Sequence, residues 1–91
     1  MAASPQHLTL TANVEAVLTF DINAGKVEIL NLDGTAEVYV SVDNTPVTIG
    51  ANGFHVLPAA ISSLELDDKT TGNTVVRLRS AGTPRMSVRV W

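Results

Sequence analysis

Ala36-Glu37-Val38-Tyr39-Val40-Ser41-Val42 sets a small or branched apolar residue at every second position, with polar or aromatic residues between. Successive side chains of an extended chain point to opposite faces. Val38, Val40 and Val42 therefore line one side, and Glu37, Tyr39 and Ser41 the other. The stretch reads as a β-strand with one dry face, and the same pattern recurs on both sides of it.

Upstream, residues 7–11 carry Leu8 and Leu10 on one face. Residues 14–21 set Val14, Ala16, Leu18 and Phe20 against Glu15, Val17, Thr19 and Asp21, and residues 26–31 turn Val27 and Ile29 inward. Ala24-Gly25 and residues 31–35 are turns, with Gly34 free to take positive φ. Downstream, residues 43–53 hold two glycines, Pro46 and two asparagines, which describes a long loop. Such a loop is expected to become ordered only against a neighbouring subunit or a larger body. Residues 54–57 and 61–66 resume the extended pattern, with Leu64 and Leu66 inward. Residues 74–80 turn Val76 and Leu78 inward and Arg77 and Arg79 outward. Residues 85–91 turn Met86, Val88 and Val90 inward and Arg85, Ser87, Arg89 and Trp91 outward. Ala81-Gly82-Thr83-Pro84 reads as the turn of a hairpin between these last two strands.

Seven to eight short antiparallel strands with one apolar face each are best satisfied by two sheets packed face to face. The expected fold is all-β, an antiparallel β-sandwich of jelly-roll or immunoglobulin-like type. It fills a single domain over residues 1–91, of which residues 1–6 form a flexible N-terminal segment. A chain of 9.6 kDa is expected to fold to about 5,000 Å² of surface.

Composition narrows the function. The net charge of −3 argues against general nucleic-acid binding, which needs a lysine and arginine excess. No segment approaches the roughly 20 apolar residues of a membrane span, and the first residues lack the pattern of a secretory signal. The absence of cysteine excludes disulfide staples and thiolate metal sites, and suits an intracellular or phage-type origin better than a secreted mini-protein. His7 and His55 are too few for an ordinary zinc site, and Asp67-Asp68 lacks calcium-loop spacing. No nucleophile or phosphate-binding motif occurs. The expectation is a protein without catalytic residues, metal or cofactor, one that binds rather than transforms.

Charge is distributed unevenly. Residues 1–68 hold all nine acids and a single base, Lys26, whereas residues 69–91 hold Lys69, Arg77, Arg79, Arg85 and Arg89 and no acid. In a hairpin of the last two strands, Arg77, Arg79 and Arg89 share one face with Trp91 nearby. Three guanidiniums side by side need carboxylate partners or open water. The partners are either acids of this chain, such as Glu37, Glu65 or Asp67, or groups on a neighbouring body. Arg77, Arg79, Arg89 and Trp91, with Tyr39 on the outer face of its strand, are therefore the candidate interface residues.

The chain is similar to the small β-sandwich virion proteins of tailed bacteriophages, particularly those of actinobacterial hosts. The resemblance is carried by Val27-Glu28-Ile29-Leu30-Asn31 with Asp33-Gly34, by Ala36 through Asp43, and by Thr45-Pro46, Gly50-Ala51-Asn52 and Val56-Leu57-Pro58-Ala59. It continues in residues 74–82 and in Ser87-Val88. It implies a head decoration, head-fibre or minor structural protein that covers or cements an icosahedral shell. Its location would be the capsid surface of the virion and its partner the major capsid protein, with a homo-trimer one arrangement open to it. The alternative is a carbohydrate- or receptor-binding module of a tail or head fibre. The arginine-rich C-terminal strands and Trp91 depart from the family pattern.

Overall fold

Alternation of valine, leucine and threonine with polar residues leaves each strand with one face that water does not solvate well, and pairing alone cannot hide it. The computed structural model, which describes residues 4–91, resolves this with eight strands in two four-stranded sheets. The strands are β1 (Gln6–Thr9), β2 (Ala16–Thr19), β3 (Lys26–Asn31), β4 (Val38–Ser41), β5 (His55–Leu57), β6 (Ser62–Asp67), β7 (Val75–Arg79) and β8 (Arg85–Val90). One sheet has the order β1-β8-β3-β6 and the other β2-β7-β4-β5, and every pairing is antiparallel.

The pairs β1·β8, β2·β7, β3·β6 and β4·β5 describe one long two-stranded ribbon, closed by the loop between β4 and β5. The ribbon folds over on itself so that β8 also lies against β3, and β7 against β4. This is the strand order of an eight-stranded jelly roll, and not that of an immunoglobulin domain. Apart from the β4–β5 loop, every connection crosses from one sheet to the other.

The core lies between the sheets. Phe20, Leu10, Ile29, Leu57, Leu78, Met86 and the valines 27, 38, 40, 76 and 88 are sealed from solvent, with Leu8, Ala16, Leu18, Leu64 and Leu66 half-buried at its margins. The folded surface is 4714 Å², close to the area expected for this mass. Residues 1–3 of the expected flexible segment lie outside the described residues. The remainder of that segment is engaged: the Ser4 hydroxyl accepts the Val90 amide at 2.9 Å, and Gln6 opens β1 opposite Val88.

The hairpin expected between the last two strands does not form. β7 lies between β2 and β4 in one sheet, and β8 lies between β1 and β3 in the other. The Ala81–Pro84 link carries the chain over the end of the sandwich. There it passes so close to Ala36 that a Cβ at Gly82 would sit 2.6 Å from the Ala36 Cβ. Glycine and proline mark the reversal correctly, but a reversal can stay in a sheet or change sheets. Both strands are central, so each is covered by two neighbours, and Ser87 is buried although alternation puts it on the outer face.

Candidate functional site

Because β7 and β8 lie in different sheets, the three arginines expected to share one face are on opposite sides of the molecule. Arg77 and Arg79 project from the outer face of the β2-β7-β4-β5 sheet. Arg89 projects from the outer face of the other sheet.

Arg77 stands opposite Val17 of β2 and Ser41 of β4. Its Nη1 meets Glu15 Oε1 at 2.7 Å and its Nε donates to Asn44 Oδ1 at 2.9 Å. The side chains of the ion pair are only 21% and 20% exposed. The other carboxylate oxygen of Glu15 accepts the Val47 amide at 2.6 Å. Arg79 completes the arrangement, donating from Nη1 to the Val47 carbonyl at 3.2 Å and from Nη2 to the Asn13 carbonyl at 2.8 Å. Its Nε is buried without a partner.

The result is a clamp. Glu15 and the two arginines hold Val47, 2% exposed, against the outside of the sheet, well away from the main core. The loop expected to be ordered only by a neighbour is therefore pinned by its own chain. Its entry is shaped by Asp43, whose carboxylate accepts the Ser41 hydroxyl at 2.9 Å and the Thr45 amide at 3.1 Å. Hydrogen bonds from Thr45 and then Ser41 hold the Asp43 carboxyl below its ordinary value.

Arg89 donates to Glu28 Oε1 at 2.7 Å, directly across the β3–β8 ladder, and its guanidinium lies 4.6 Å from the centre of the Trp91 ring. The Trp91 backbone continues the ladder by exchanging hydrogen bonds with Lys26, so the exposed indole stands on a fixed stem. Tyr39 lies between Arg79 and Val56 on the outer face, half-buried, and its hydroxyl donates to Glu37 Oε1 at 3.1 Å. That bond pushes the phenol pKa up. Thus none of the acids expected as arginine partners, Glu37, Glu65 and Asp67, serves Arg77, Arg79 or Arg89. Asp67 pairs with Lys26 instead.

The partners that do serve them, Glu15 just ahead of β2 and Glu28 in β3, sit at positions that alternation turns outward. The missing signal was which strand lies beside which. The ribbon pairs early strands with late ones, so acids of the first half meet bases of the last.

No family model matches the chain, and neither a curated protein nor a solved structure is significantly similar to it. The surface must therefore be read from its own geometry.

At one end of the sandwich four connections gather. Asn13 donates to the Ser80 carbonyl at 2.8 Å, Asn31 Nδ2 to the Pro58 carbonyl at 3.3 Å, and the Arg85 amide to Asp33 at 3.1 Å. Gly34, at φ +66°, lets its loop lie against Ala60 and Ile61, where a Cβ would approach their backbone to 2.6 Å. The consequence is an end whose outermost stretch, Pro58-Ala59-Ala60-Ile61, is exposed throughout, with Ile61 77% exposed and Val14 and Ala81 also open to solvent.

The side of the molecule where β5 and β6 form neighbouring edges carries a shallow open cleft of about 420 Å³, lined by His55, Lys26, Lys69, Glu65 and Asp67 among others. Charges of both signs alternate around it. Among the described residues no three histidine or carboxylate groups are arranged to hold a metal, and no helix is long and apolar enough to cross a membrane.

Proposed function

We propose that the protein is a non-enzymatic structural component of a tailed-phage particle that decorates or cements the outer surface of the capsid, with the major capsid protein as its partner. The observation that supports this reading best is the apolar end built from Pro58, Ala59, Ala60 and Ile61. An isoleucine 77% exposed on a loop braced by neighbouring loops has the character of an anchor awaiting a pocket. The jelly roll is a scaffold used by viral shells and by lectins alike, and it accommodates this reading.

The anchor proposed here is not the arginine cluster expected from the sequence. Arg77 and Arg79 are engaged within the chain, and their loss would act first on the loop they clamp. Arg89 and Trp91 remain available at the far end of the molecule. A sugar-binding role would use Trp91 as a stacking platform, yet Arg89 occupies one face of the ring and leaves a single face for a ligand.

The test is co-sedimentation of the purified protein with capsids that lack it. Ile61→Asp is expected to abolish binding while leaving the melting temperature unchanged, because the side chain contributes little to the folded monomer. Undiminished binding of Ile61→Asp would remove the apolar end from the interface. Failure of the wild-type chain to bind any capsid would remove the decoration role.

A further inference from the structure

The two sheets have four edges, and they are not equally protected. An open edge presents unpaired amides and carbonyls that can template another strand, and natural sheets defend such edges with charge, proline or shortness. β5 is three residues long and is followed by Pro58. β6 turns Ser63, Glu65 and Asp67 outward: the Asp68 amide bonds the Gly25 carbonyl of the β3 side, so residues of the opposite parity face the open edge. A second β6 laid antiparallel there and centred on Glu65 would set Glu65 against its own copy. β1 follows Pro5 and displays His7 and Thr9, with no exposed large apolar residue.

β2 is different. The Phe20 amide bonds the Thr74 carbonyl of the β7 side, so even-numbered residues exchange bonds with β7 and Val17 and Thr19 turn theirs to the open edge. The Thr19 carbonyl confirms the direction by accepting the Gln6 side chain at 3.4 Å from outside the sheet. Val17 is about half exposed, Ala16 and Leu18 are half-buried at the core margin, and of the two acids flanking the strand, Glu15 is neutralised by Arg77 while Asp21 lies beyond its end.

We infer that β2 is a docking edge for the β2 of a second copy of this chain, paired antiparallel about Val17. The charge pattern selects this occupant. Centred on Val17, the pairing sets Val17 against its own copy, Glu15 against Thr19 and Thr19 against Glu15, so no like charges meet. The Val17 amide and carbonyl exchange bonds with the same groups of the partner, and Ala16 and Leu18 lose their remaining exposure across the joint. The two β2-β7-β4-β5 sheets become one eight-stranded sheet, and the two-fold closes on itself. The inference is independent of the capsid reading, and it gives a two-fold dimer where the sequence left a homo-trimer open.

Sedimentation velocity over micromolar to submillimolar concentration tests it. The wild-type chain is expected to move to a species of twice 9.6 kDa. Val17→Lys sets like charges face to face at the centre of the joint and is expected to leave a folded monomer at every concentration, with a lowered melting temperature because the new charge also stands opposite Arg77. Val17→Thr is expected to retain the dimer, as is Ser63→Lys on the β6 edge. Amide exchange supplies a readout without mutation: Val17 and Thr19 should be protected in concentrated samples and lose protection on dilution. A wild-type monomer throughout, a trimer, a Val17→Lys dimer, or fast exchange of the Val17 amide in any assembled species would overturn the proposal.

Discussion

Replacing Arg77 with alanine should destabilise the isolated monomer. Arg77 faces Glu15 at 2.7 Å with both side chains about four-fifths buried. At about 4 Å between charge centres and an effective dielectric near 20, the gross attraction is about 4 kcal/mol. Desolvation and the ordering of the arginine offset much of it, leaving a net coupling of about 1–2 kcal/mol. Arg77→Ala also strands Glu15 with only the Val47 amide as partner and releases Asn44. The single variant should therefore lose about 2 kcal/mol, or about 10 °C in melting temperature for a domain of this size. The assay is a double-mutant cycle by urea unfolding, with Glu15→Ala as the second arm. A coupling below about 0.5 kcal/mol would refute the clamp, since distant, independent sites deviate from additivity by up to about that much. Molar salt should reduce the coupling only in part, because a pair this buried is poorly screened.

Val40→Asp places a carboxylate at a sealed position between the sheets and should cost about 5 kcal/mol or more, enough to unfold a domain of this length; circular dichroism would show the loss of β structure. Gly34→Ala forces a side chain into a left-handed conformation at φ +66° and onto the backbone of Ala60, and should cost about 3 kcal/mol by chemical denaturation. Asp43→Ala should lower the urea midpoint at neutral pH. Because the folded-state pKa of Asp43 lies below its ordinary 3.8, that contribution is complete above 3.8 and fades as the pH falls through the folded value. Wild type and variant should accordingly converge in strong acid, and a difference that persists there would rule out the carboxylate hydrogen bonds as its source.

Alternation of side chains reports which way a residue faces, and for that reason all eight strands were legible before any pairing was known. The expected strand over residues 26–31 coincides with β3, and the valine stripe of β4 is the sealed centre of the core. Pairing is a different kind of information. β2 meets β7 across roughly sixty residues of chain, and nothing local to either strand encodes the other. The error over the final two strands followed from this: Gly82 and Pro84 announce a reversal, but only the burial demands of two central strands decide that it changes sheets. Val47 was hidden for a related reason. A valine amid loop-forming residues has no periodicity, and its burial depends on Glu15 and Arg79 arriving from two other strands. The uneven charge of the chain was the one long-range clue, since acids early and bases late are what a ribbon pairing first strands with last requires.

Cryo-electron microscopy of the intact phage particle tests the capsid reading most directly. Additional density is expected on the outer surface of the head, fitting a body of 30 × 24 × 20 Å. The end bearing Pro58–Ile61 should be seated in the shell, with Trp91 directed away from it. Density for the chain on the tail or its fibres, or an intact particle without the protein, would contradict it.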